Sequence, residues 1–98
     1  MAKVHMITLV SGEYDDRHVM HVGAYLDYDK AHLRRNELEL LIAKHHLDRD
    51  SVRRQLRGDD DRDTTLDEAN FLEEAGLDFI YVSYNGVSVY LDSYSLLG

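Results

Sequence analysis

Asn85-Gly86, set between two runs of alternating apolar residues, constrains this chain more than any other feature. Both central residues of a two-residue type I′ turn need positive φ, so the pair predicts a tight hairpin over Phe79–Asp92. The turn length fixes the register, with Tyr84 opposite Val87, Val82 opposite Val89 and Ile80 opposite Leu91 on the face that must be core. The other face pairs Ser83 with Ser88, Tyr81 with Tyr90 and Phe79 with Asp92. A two-stranded hairpin does not hold alone in water, so these residues must extend a larger sheet.

The N-terminal part supplies the other strands. Val4 to Val10 is an almost unbroken apolar run ending in Ser11-Gly12, which predicts a strand buried on both faces and central in its sheet. After the polar reversal at residues 12–16, the chain alternates. His18, Met20, Val22, Ala24 and Leu26 share one face, and Val19, His21, Gly23 and Tyr25 the other. Asp27 or Asp29 can cap a helix over Lys30–His46, whose apolar stripe is Leu33, Leu38, Leu41 and Ile42 with Leu40 beside them. Arg34, Arg35, Glu37 and Lys44 fall mostly outside that stripe. A shorter helix from Ser51 to Arg57 buries Val52 and Leu56 and closes at Gly58. Thr65-Leu66-Asp67-Glu68 has the form of a capping box and opens a third helix carrying Leu66, Ala69, Leu72 and Ala75 to a stop at Gly76. The expected fold is α+β in the order β-β-α-α-α-β-β. It is an antiparallel sheet of two hairpins with helices packed on one face, a single small domain over 1–98 with a mobile acidic linker near 58–64.

Charge is spread unevenly over this frame. Residues 1–58 carry ten Lys/Arg and nine Asp/Glu, whereas residues 59–98 carry one and ten, which leaves the chain at −8. So acidic a balance argues against a simple nucleic-acid binder, because phosphate contacts need net positive surface. With no cysteine there is no disulfide framework and no thiolate. No apolar run approaches the roughly 20 residues that span a bilayer, and residues 1–5 lack the apolar stretch of a signal peptide. A location in the bacterial cytoplasm is expected.

Several groups of residues are candidates for a site. Asp59, Asp61 and Asp63 have the alternation of a calcium loop. However, Thr64 stands where that loop needs glycine and Asn70 where it needs a bidentate glutamate, so the run reads as solvated charge or acidic contact. His18 and His21 point to opposite faces of a strand, and the helical neighbours His45 and His46 diverge by about 100°, so no metal site is expected. No dinucleotide fingerprint or phosphate loop occurs, and no cofactor is expected. Arg53, Arg54 and Arg57 cluster within a turn and are candidates for anion contact, although the basic helices have acidic segments of the same chain to face. Glu13, Asp15 and Asp16 form a second acidic patch at a loop tip. Tyr81 and Tyr90 on the non-core side of the hairpin offer rigid, amphipathic contact area for a partner or a second copy.

The stretch from Ser11-Gly12-Glu13-Tyr14-Asp15-Asp16-Arg17 through Val22-Gly23-Ala24-Tyr25 to Asp29-Lys30-Ala31 resembles a pattern in small bacteriophage and prophage proteins. In those, a strand, a Gly-Glu-Tyr-Ser/Asp-Asp turn, a second strand and a helix follow in that order. The resemblance covers the first third of the chain, implies a phage or mobile-element origin and transfers no catalytic residue. The function expected is that of a small, acidic, non-enzymatic protein that binds and inhibits or redirects a host protein, as anti-CRISPR inhibitors of bacterial defence do. Asp59, Asp60, Asp61 and Asp63 with Glu13, Asp15 and Asp16 would make the contact. The alternatives are a module binding a small anion or nucleic acid through Arg53, Arg54 and Arg57, and a structural homo-oligomer joined by tyrosines or sheet edges.

Overall fold

The computed structural model describes residues 2–11, 17–58, 64–82 and 86–95. Among these the elements run β1 (Lys3–Ser11), β2 (His18–Tyr25), α1 (Tyr28–Lys44), α2 (Arg49–Leu56), α3 (Thr64–Ala75) and β3 (Val87–Ser95). The fold is α+β, and its antiparallel sheet has three strands in the order β2-β1-β3. The apolar run does form the central strand. One side of the sheet is core: Ile7 stands opposite Leu91 and Leu9 opposite Val89, with Ile7, Leu9, Val87 and Val89 buried. The helices supply Leu38, Ile42, Phe71 and Ala75, and Leu47 joins them from the α1–α2 corner.

The second hairpin is the main departure from the sequence expectation. Phe79–Val82 are irregular, residues 83–85, and with them Ser83, Tyr84 and Asn85, lie outside the described residues, and β3 pairs with β1 instead. Leu91 thus meets Ile7 rather than Ile80, Val89 meets Leu9 rather than Val82, Tyr90 meets Thr8 rather than Tyr81, and Asp92 meets Met6 rather than Phe79. Two features explain the change. Ile80 is buried and Val82 packs on the core, so the segment places its apolar side chains without joining the sheet. The start of β3 is also held at the α1–α2 corner, where the Val87 N–H donates to the Leu47 carbonyl at 2.9 Å. Gly86 has the positive φ expected of it (72°), but its backbone is pressed against α2. A Cβ there would stand 2.5 Å from Arg49 N and 2.6 Å from the Asp48 carbonyl carbon.

A register shift between Ile7 and Thr8 corrects the reading of β2. Ile7 faces Gly23 but Thr8 faces His21, so strict alternation breaks. Met20 packs on the core before the break, Val22 at it and Tyr25 after it, while Ala24 and Leu26 are exposed. The stripe of α1 is also displaced. Ala31, Leu38 and Ile42 are buried, whereas Leu33 and Leu40 are exposed. The missing turn between Ala31 and Leu38 belongs to half-buried Arg34 and Arg35.

Helix ends follow local chemistry. Asp27 caps α1 by accepting from the Asp29 N–H at 2.9 Å, so the helix starts two residues before Lys30. Asp48 caps α2 by accepting from the Ser51 N–H at 3.3 Å, which draws Arg49 and Asp50 into the helix. α3 begins at Thr64, placing Thr65 inside its first turn rather than at its cap. Its other end is the expected stop: Gly76 N–H bonds Glu73 O and Leu77 N–H bonds Leu72 O, the paired bonds of a Schellman cap. α1 ends in the same motif, with His46 N–H on Ala43 O and Leu47 N–H on Ile42 O. The left-handed residue there is His46, at φ 59°.

A side chain with a Cβ costs about 1–2 kcal/mol in that conformation. His46→Gly should therefore raise stability by about 1 kcal/mol, read as a higher urea midpoint at unchanged slope. Gly86→Ala should lower the midpoint by more than His46→Gly raises it, because strain and a backbone clash act together.

Candidate interaction surface

Antiparallel alternation gives the sheet a second face, and among the described residues no helix packs on it. The pairings set its rungs: Ala24–Met6–Asp92, His21–Thr8–Tyr90 and Val19–Val10–Ser88, with Val4 opposite Tyr94. Asp92 is the one formal charge on these rungs, in a chain of which 31% is charged. Tyr90, Tyr94 and Val19 are each about half exposed. At the centre, Thr8 is buried between its neighbours, and its hydroxyl shares a 3.0 Å hydrogen bond with His21 Nδ1. Depletion of charge with tyrosine and methionine present is the composition of the centre of a protein interface.

A groove lies beyond the outer edge of β3, beneath α1. Glu39, Ile42, Ala43, Asp48 and Arg49 line one length of it, about 380 Å³, against Val87–Tyr90. Tyr28, His32 and Arg35 line the next, about 530 Å³, against Val89–Leu91 and Ser93. His5 Nδ1 is 2.7 Å from Ser93 Oγ, its ring meets Tyr28 edge-on at 5.3 Å, and Tyr28 stacks on His32 at 5.9 Å. A serine beside a histidine is half of a nucleophile–base arrangement. Among the described residues His5's other contact is the Tyr28 ring, not a carboxylate that would orient it. This cluster, which spacing in the sequence could not reveal, serves to tie the start of α1 to the sheet.

The residues singled out in the sequence are scattered over the fold. Asp59, Asp60, Asp61 and Asp63, with Glu13, Asp15 and Asp16, lie outside the described residues. Tyr90 is on the open face, but Tyr81 lies against the His18 ring, centroids 3.8 Å apart, and the two tyrosines are not a cross-strand pair. Arg53, Arg54 and Arg57 sit on α2 and its C-cap, Arg53 half-buried and the others exposed. Arg54 donates to Ser51 Oγ at 3.4 Å. Comparison with protein-family models, with curated proteins and with solved structures found no match.

The basic face of α1 is partly matched within the chain. Lys44 Nζ donates to both Glu74 carboxylate oxygens, at 2.8 and 3.0 Å, and the Arg34 guanidinium donates to the Ala75 carbonyl at the end of α3. His45 is buried edge-on to Phe71, with Nε2 3.2 Å from Glu74 Oε1 but not aligned for a hydrogen bond. The Lys44 hydrogen bond, assisted by the nearby His45, holds the Glu74 carboxyl below its ordinary value. Burial pushes Glu68 the other way.

A lowered carboxylate stabilises the fold above its unfolded pKa, and that contribution disappears as pH falls through the folded pKa. Glu74→Gln should therefore be less stable than the native chain at neutral pH, with the gap closing as the pH falls through the Glu74 titration. Glu68, being raised, has the opposite sign: it favours the fold below its unfolded pKa and loses that effect as pH rises through its folded one. Urea midpoints of the native chain, Glu74→Gln and Glu68→Gln across pH 3 to 7 read both (a range bracketing the ordinary carboxylate values of about 4).

Proposed function

We propose that this chain is a protein-docking module whose open sheet face is its contact surface, and that it acts by occupying a partner protein rather than by catalysis. The observation that carries the reading is the run of rungs with a single formal charge, Asp92, and with Tyr90, Tyr94 and Val19 exposed on a face no described helix covers. The chain's net charge of −8 selects a partner whose contact region is apolar at its centre and basic around it. Tyrosine anchors give affinity, and the acidic sequence segments Asp59–Asp63 and Glu13–Asp16 add negative charge that gives attraction over distance and speed of encounter. An inhibitor or redirector of a host protein, of the phage-encoded anti-defence kind, is the class that small size, acidity and this division of labour support.

Tagged chain is used to capture protein from nuclease-treated bacterial lysate in three forms: native, Tyr90→Ala/Tyr94→Ala, and Asp59→Ala/Asp60→Ala/Asp61→Ala. The expected result is one stoichiometric partner, held at least about tenfold more weakly by the tyrosine variant, the loss typical of an interface anchor. The aspartate variant should bind more weakly with a flatter salt dependence. Equal capture by the native and tyrosine forms would sink the reading. Loss of capture on Arg54→Glu/Arg57→Glu, with the tyrosine variant unaffected, would replace it with anion binding through α2.

A further inference from the structure

We propose that the outer edge of β3 pairs with β3 of a second copy of this chain, antiparallel about a two-fold axis at Leu91, joining two three-stranded sheets into one of six. This inference does not depend on the docking role of the open face.

β3 is an edge strand nine residues long. Its Val87 N–H is spent on the Leu47 carbonyl, outside the sheet. Backbone direction alternates along a strand. The N–H and C=O groups of Val89, Leu91 and Ser93 therefore also point away from β1, and among the described residues none of them is bonded. Natural edges of this length carry lysine, proline, a bulge or a cover. Val87–Ser95 has no lysine, arginine or proline, its one charge is Asp92, and its pairing with β1 runs unbroken from Ser11 to Lys3. The opposite edge differs, since β2 has a register shift and the Tyr81 ring against His18.

The edge is self-complementary about Leu91. Val89 of one copy faces Ser93 of the other, so all the outward backbone groups of Val89, Leu91 and Ser93 find partners. Tyr90 faces Asp92 of the second copy at the rung where side chains come closest, placing a phenol donor by a carboxylate. The grooves under α1 agree in charge. Arg35 lines the Ser93 end and Glu39 the Val87 end, so antiparallel pairing brings Arg35 of one copy toward Glu39 of the other. Within one copy these two already pair at 3.2 Å, exposed enough to exchange partners. A strand edge about 30 Å long, with a helix layer about 10 Å above it, offers roughly 600 Å² per copy once side chains are counted. That approaches the roughly 800 Å² per partner of a standard interface, so a dimer of moderate affinity follows.

The test is light scattering on the purified chain up to about 1 mM, the weak end of measurable association, with Ser93→Pro and Ser93→Ala. Proline removes an outward N–H that has no acceptor among the described residues of a single copy, whereas alanine removes the hydroxyl bonded to His5 but keeps that N–H. The native chain and Ser93→Ala should reach twice the 11.4 kDa of one chain, and Ser93→Pro should stay at the single mass with unchanged circular dichroism. If Ser93→Pro fails to fold, hydrogen exchange of the native chain decides instead. The Leu91 amide should become at least about tenfold better protected as concentration rises through the dimer transition. A single mass for the native chain at every concentration overturns the proposal. So does a folded Ser93→Pro dimer, or a Leu91 amide whose exchange is indifferent to concentration.

Discussion

One apolar seam holds this molecule together: Leu38 and Ile42 of α1 lie in the same buried cluster as Ile7 and Leu9 of β1 and Val87 and Val89 of β3. Each such side chain, fully buried, contributes about 1.5–3 kcal/mol, and a chain of 98 residues has room for one core of this kind. Phe71 and Ala75 enter the cluster from α3, Leu47 from the α1–α2 corner and Ile80 from an irregular segment. Elements that reach the seam need no regular hydrogen-bonding scheme of their own to be held. The burial of Ile80 therefore removes the need for the hairpin that Asn85-Gly86 invites.

How legible the fold was depended on whether a signal was local or competitive. The central strand, the stop at Gly76, the α1 cap as one of Asp27 or Asp29, and the inward face of Val87, Val89 and Leu91 were readable because each rests on a short pattern with its own physics. The partner of β3 was not readable. Residues 79–82 and β1 both alternate acceptably against β3, and the choice is made by a tertiary bond, Val87 N–H to Leu47 O, with Gly86 packed on the α2 backbone. The shift at Ile7/Thr8 was equally hidden, since a strand's alternation says nothing about where its partner slips. Leu33 and Leu40 misled because leucine counts outweighed geometry: Ala31, small and less conspicuous, is the buried residue at that end of α1.

Of the candidate surface, one residue was legible in the sequence, Tyr90, and its assembly was not. Tyr90 stood out as an aromatic on a non-core face, yet its neighbours there come from β1 and, across β1, from β2, not from Tyr81. The expectation that basic helices face acidic segments of the same chain has a concrete counterpart in the Lys44–Glu74 pair and the Arg34 bond to Ala75 O. Exposed pairs of that type add little stability. They link α3 to α1, and α3 in turn brings Phe71 into the seam.

Net charge then restricts how such a molecule can associate. Two copies at −8 repel one another at low salt, so a contact between them has to run through surface that carries almost no formal charge and supplies directional bonds. The β3 edge has both properties: one carboxylate in nine residues, and backbone donors and acceptors that alternate in matching order when the strand is turned upon itself. The open face has the first property without the second, since a partner lying on it meets side chains rather than the unpaired backbone of a strand edge. Edge pairing would set two open faces side by side without covering either. Self-association and docking would then draw on edge backbone and face side chains respectively, with Tyr90 common to both, and the doubled acidity would strengthen attraction to a basic-rimmed partner over the Debye length of about 8–10 Å.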